Sequence, residues 1–167
     1  MSVRLFYDRW PQYNRRLVEV FGALAPDELA IRPAPELLPI WATVGHTAAM
    51  RHYWLCNVLR EPGAESTPFG NADSTIDWAD DLDHPRSGQE LAMALQTTFA
   101  IVEACLDRWT PAMLEEVVER VYGEQRQLHS RGSILQRILT HEAWHAGELS
   151  LTLGIHGLPQ PDLWRPD

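Results

Sequence analysis

Histidines at helical spacing, glutamates beside them and a tyrosine two turns from a third histidine are the side chains here that could do chemistry together. The densest group is His141-Glu142-Ala143-Trp144-His145, with Gly147 and Glu148 just behind it. Residues four apart on a helix stand one above the other. The apolar stripe of this segment, Ile134 and Ile138, continues through 141, 145, 148 and 152, which predicts both histidines on the buried face. Two stacked imidazoles must find partners for four ring nitrogens, and a divalent metal satisfies them together. A third imidazole is available upstream. His46 lies on the pattern His46, Ala49, Met50, Tyr53 and then Cys56 or Asn57, again an otherwise apolar row. Three neutral imidazoles from two helices leave coordination positions open, as in catalytic zinc sites. The same donor set suits nickel and also iron.

The neighbouring acids allow several roles. Glu142 completes a His-Glu-x-x-His run, the motif in which a helix supplies two zinc ligands and a glutamate base. The extended protease form needs glycine at 148 and histidine at 151, where this chain has Glu148 and Leu151. No strand that could present a substrate is evident either. Glu142 is expected off the stripe and reads as structural rather than catalytic. Glu148 falls on the stripe; it could be a fourth ligand, an acceptor for a histidine N–H, a proton shuttle, or a helix-face glutamate paired elsewhere. Tyr53 could bring its hydroxyl toward the metal, or serve only as core. His52, His84, His129 and His156 fall off the stripes or in connections and read as surface residues.

Four amphipathic helices must position these groups. The first carries Phe6, Trp10, Tyr13, Leu17, Phe21 and Leu24. Of a start near Trp10 with proline in the first turn and a longer helix from about Leu5 kinked at Pro11, the kinked helix is expected, because Phe6 continues the stripe. An extended connection with Pro33, Pro35 and Pro39 follows. The second helix is expected from Thr43, a plausible N-cap, to about Arg60, where Glu61-Pro62-Gly63 stops it. Residues 61–87 are long, irregular and acidic, with Phe69, Ile76 and Trp78 as anchors and the aspartates as a solvated face. Ser87 and Glu90 form a capping box for the third helix, whose buried stripe is Leu91, Leu95, Thr98, Val102, Cys105 and Trp109. Within 113–128, Glu115 to Arg120 could continue as helix or Val117 to Gln127 could be an extended excursion turning at Gly123, and the extended reading is preferred. Ser130 or Ser133 caps the fourth helix, which ends at Gly157. The pattern is all-α with no convincing sheet, and the unequal connections fit a bundle containing a crossover.

The whole chain narrows the function classes. Its 167 residues suggest one domain, 1–167, large enough for a real core. A net charge of −9 argues against nucleic acid as a partner. Cys56 and Cys105, the only cysteines, sit in apolar patterns and read as reduced core thiols. With neither a signal-peptide core nor a membrane-spanning run, the expectation is a cytoplasmic protein without a membrane partner.

The segment Trp41-Ala-Thr-Val-Gly-His46-Thr-Ala-Ala-Met-Arg-His-Tyr-Trp54, combined with His141-Glu-Ala-Trp-His145-Ala-Gly-Glu148, resembles the DinB/YfiT-like superfamily of metal-binding four-helix bundles. The resemblance spans nearly the whole chain. It implies up-down-down-up topology, a divalent metal on His46, His141 and His145, and a homodimer. Where the family often reads His-Arg-Gly-Gln, this chain reads His145-Ala146-Gly147-Glu148, exchanging an arginine and a glutamine for an alanine and a carboxylate. Characterised members of the family include transferases and isomerases that use low-molecular-weight thiols such as bacillithiol or mycothiol. The leading expectation is therefore a metal-dependent thiol S-transferase acting on a small-molecule substrate, with the thiol as cosubstrate. A hydrolase using metal-activated water with Glu142 or Glu148 as base, and a non-enzymatic protein with a structural metal, are the alternatives.

Overall fold

The apolar periodicities become four long helices in the computed structural model, which describes residues 2–70 and 77–165. These are α1 (Trp10–Ala23), α2 (Ile40–His52), α3 (Gly88–Arg108) and α4 (Arg131–Ile155). A short 3-10 segment, Val3–Tyr7, precedes α1, and a single helical turn, Pro26–Leu29, follows it. α1 packs on α3, and α2 packs on both α3 and α4. The fold is mostly helical, with one small sheet. No helix among the described residues is long and apolar enough to cross a membrane.

Several local expectations hold for the reasons given. The Ser87 hydroxyl accepts the Glu90 amide while the Glu90 carboxylate takes the Ser87 amide, a reciprocal cap contributing about 1 kcal/mol. Leu91, Leu95, Thr98, Val102, Cys105 and Trp109 are all buried. Ser130 caps α4 by accepting the Ser133 amide, and Gly157 follows at φ 69°.

Other expectations need correction. There is no kinked helix from Leu5: α1 begins at Trp10 with Pro11 in its first turn, where a missing N–H costs nothing. Phe6 is consequently exposed. α2 starts three residues before Thr43, with Pro39 as its N-cap. It continues through a π-helical stretch, Tyr53–Val58, and stops at Arg60, which takes a left-handed φ of 58°. The chain also contains a sheet. β1 (Val117–Tyr122) and β2 (Gln125–Ser130) pair antiparallel from Val117 opposite Ser130 to Tyr122 opposite Gln125. Gly123, at φ 59°, supplies the positive dihedral that a two-residue hairpin turn requires. The Arg120 guanidinium lies over the Tyr53 and Trp54 rings and holds this hairpin to α2.

The core divides into two apolar clusters. One gathers Trp10, Trp54, Phe99, Val102, Cys105 and Ile138; the other gathers Leu17, Phe21, Ala48, Leu95, Ala146 and Leu149. On each helix the residue between the clusters is polar: Asn14, Arg51, Thr98 and Glu142 are all buried. Arg51 donates to Glu142, to Asn14 and to the Leu95 carbonyl, closing this layer.

Candidate metal centre

The histidine rows do not lie where the stripes place them. α2 and its π-helical continuation are buried nearly all round, and their positions that are not buried are His46, Met50, Tyr53, Asn57 and Val58. On α4 the buried residues are Ile134, Leu135, Ile138, Glu142, Ala146, Leu149, Thr152 and Leu153, while His141 and His145 are half-buried and Glu148 is exposed. The two histidine-bearing rows thus flank the interior on its open side. Glu142, expected off the stripe, is at its centre.

There the rings converge. His46 Nε2 lies 3.2 Å from His141 Nε2, and His145 Nε2 lies 3.1 Å from the same atom. One nitrogen of each ring lies within 4.8 Å of the other two. Ligand nitrogens on a tetrahedral zinc at about 2.0–2.1 Å stand about 3.3 Å apart, so the spacing fits an ion between them. The outward nitrogens strengthen the fit. His46 Nδ1 is 2.8 Å from Asp77 Oδ2, and His145 Nδ1 is 2.7 Å from Glu148 Oε2. A carboxylate at Nδ1 keeps the proton there and turns the Nε2 lone pair inward. Two lone pairs then face His141 Nε2, which has at most one proton to offer; a cation satisfies all three. His141 is itself held neutral: burial first, then the neighbouring His145 and His46, lower its pKa to about 4. Neutral imidazole is the ligand form.

Asp77 went unread in the sequence, where it counts as one of several aspartates on a solvated face. It is buried, its Oδ1 accepts the Ala79 amide at 2.6 Å, and its own amide donates to Asp80 Oδ2. Trp78 is the anchor that brings it in. Its ring lies against Gly45, where an added Cβ would stand 3.1 Å from the tryptophan, so the residue before His46 must be small. Phe69 packs on the same ring. The available signal was an aromatic residue directly after an aspartate in a connection too long for a plain linker. Ile76 and Asp73 lie outside the described residues.

The remaining candidates separate clearly. Glu142 accepts two bonds from Arg51, at 2.6 and 2.9 Å, and one from Trp10 Nε1 at 3.2 Å. Both its oxygens are engaged away from the histidines. Glu148 is the histidine N–H acceptor of the possibilities raised, and it also accepts Trp144 Nε1 at 2.8 Å. Burial opposes its charge, but these hydrogen bonds from Trp144 and His145 outweigh that and hold its pKa below the usual carboxylate range. The Tyr53 hydroxyl accepts Arg120 Nε at 2.8 Å, so it is engaged by the hairpin. His52, expected at the surface, is buried with Nε2 3.3 Å from the Gly70 carbonyl, and burial lowers its pKa. His129 is half-buried against Trp54, whereas His84 and His156 are exposed.

Comparison with known proteins bears on the family and the fold. The model of the DinB superfamily matches residues 12–149. Solved structures of similar fold include two DinB-like proteins. A DinB-like protein from Bacillus cereus ATCC 10987 has TM-score 0.67 at 18% identity, with 96% of each chain covered. A DinB-like protein (YjoA) from Bacillus subtilis has TM-score 0.59 at 17% identity, with 89% of each chain covered. No curated protein matches the sequence.

Proposed function

The chain belongs to the DinB superfamily, and from that premise we propose that it is a metal-dependent transferase for a low-molecular-weight thiol of the bacillithiol or mycothiol type. In this reading residues 1–167 form one domain, a four-helix bundle of up-down-down-up topology, working as a cytoplasmic homodimer. His46, His141 and His145 hold a divalent ion, zinc or nickel before iron. The observation that carries the reading is the convergence of three Nε2 atoms with a carboxylate behind two of them.

A divalent ion in such a site lowers the pKa of a thiol and so supplies a nucleophile at neutral pH. The protein's own groups orient and exclude. Asp77 and Glu148 fix the ring tautomers, and Leu149 and Thr152 wall the side of α4 next to His145. In the transfer, sulfur bonds to the electrophilic carbon as that carbon loses its leaving group, and the thiol proton passes to solvent. No cysteine of the chain is needed. Burial, then nearby glutamates, push the Cys56 thiol up to about 11; burial, then Glu61, push Cys105 up to about 12.

The hydrolase alternative requires a free carboxylate base. Glu142 is paired with Arg51 and Glu148 with His145 and Trp144, which favours the transferase. The exposed Trp144 and Ile155 on α4 give a homodimer an apolar face to bury, to be checked by sedimentation.

The test is elemental analysis of wild type and His46→Ala, with assays of metal-loaded and metal-free protein using bacillithiol and an alkylating dye. Metal loss in His46→Ala and acceleration only in the loaded wild type are expected. Equal rates with and without metal would remove the transferase reading. A folded His46→Ala that keeps its metal would remove the site.

A further inference from the structure

Beside the histidines a cleft of ≈ 390 Å³ opens between the Pro33–Thr43 segment and the C-terminal half of α4. That volume is in the range of small-molecule sites. Its walls are aliphatic, with Leu37, Leu38 and Ile40 on one side and Leu149 and Leu151 on the other. Its few polar groups are already engaged. The Thr43 hydroxyl donates to the Pro39 carbonyl and the Thr152 hydroxyl to the Glu148 carbonyl. Both Glu148 carboxylate oxygens accept hydrogen bonds, from Trp144 and His145. No arginine lines the cleft, and the sequence has no lysine. Arg32, next to Pro33 in the wall, donates its guanidinium to the Leu37 carbonyl.

The side chains of the wall offer no unengaged N–H or O–H to an anion, and the Glu148 carboxylate repels one. We propose that this cleft takes the apolar body of an uncharged small molecule, an aliphatic or aryl group whose single polar head points toward His145. It excludes carboxylates and phosphates of the same shape. On the transferase reading above, this occupant is the electrophilic acceptor; the cleft itself depends on no metal.

Three probes with one tail and different heads test it: 1-octanol, octanoate and octyl phosphate, titrated calorimetrically into metal-free protein at neutral pH. Octanol is expected to bind about tenfold or more tighter than either anion. Leu37→Arg places a cation on the wall from a half-exposed loop position, so the core is undisturbed. It is expected to reverse the order in favour of octanoate. An anion that binds wild type as tightly as octanol, or an order unchanged by Leu37→Arg, would overturn the assignment. Metal content and thiol transfer are measured on portions of the same batches after metal loading. Their loss with the octanol preference intact removes the transferase reading and leaves the cleft standing; the opposite pattern removes the cleft alone.

Discussion

Glu142 Oε2 lies 2.6 Å from Arg51 Nη2, and these residues belong to the two helices that carry the histidines. Arg51 is fully buried, and Glu142 is 4% exposed. Arg51 lies five residues past His46 along α2, and Glu142 directly follows His141 on α4. The pair's contribution is therefore to the spacing of the two histidine-bearing helices, within a polar layer separating two apolar clusters. The glutamate of His-Glu-x-x-His has a structural partner.

Removing Glu142 leaves a guanidinium uncompensated in the core. Glu142→Ala is expected to cost about 3–5 kcal/mol in urea denaturation, and Glu142→Gln less, because the amide oxygen still accepts from Arg51. If Glu142→Gln unfolds like wild type but loses turnover, Glu142 acts as a base after all.

Asp77 holds the His46 ring from outside the three-histidine cluster. Asp77→Ala is expected to weaken metal binding about 10- to 100-fold in competition with a chelating dye, with the three histidines intact. Glu148→Ala should act in the same direction but less, since its side chain is half exposed. Unchanged affinity in Asp77→Ala would show the contact to be incidental.

The pH dependence follows from His141. Its pKa in the folded protein is lowered to about 4, against an ordinary value of 6.5. Protons therefore bind the unfolded chain more readily, and the folded state loses stability as pH falls from about 6.5 toward 4. Buried His52, also lowered, acts in the same sense. The melting temperature of metal-free protein should drop over that window, and His141→Asn should flatten the drop. A metal-free melting curve that does not move over this window would contradict a neutral, half-buried His141.

Cys56 and Cys105 should be silent to a thiol reagent at pH 8 in the folded protein and react only in denaturant, because their thiols are raised to about 11 and about 12. Cys56→Ser is expected to leave metal stoichiometry unchanged. Rapid labelling of the native protein would place a reactive thiolate where the structure has a buried thiol.

The sequence by itself determined what short-range chemistry controls. The Ser87–Glu90 cap, the buried stripe of α3, the turn at Gly123 and the pairing of His141 with His145 each depend on residues only a few positions apart. It also singled out His46, because an imidazole in an apolar row needs a reason. Tertiary structure decided which side of each helix faced in. α2 and α4 are apolar on more than one face, so periodicity alone assigned His46, Met50 and Tyr53 to the deep row and Glu142 to the outside, the reverse of what packing imposes. Pairing energy made that choice: Arg51 and Glu142 can be buried only together, and they occupy the centre. The role of Asp77 likewise depended on Trp78 meeting Gly45 across 33 residues, a contact that no local pattern encodes.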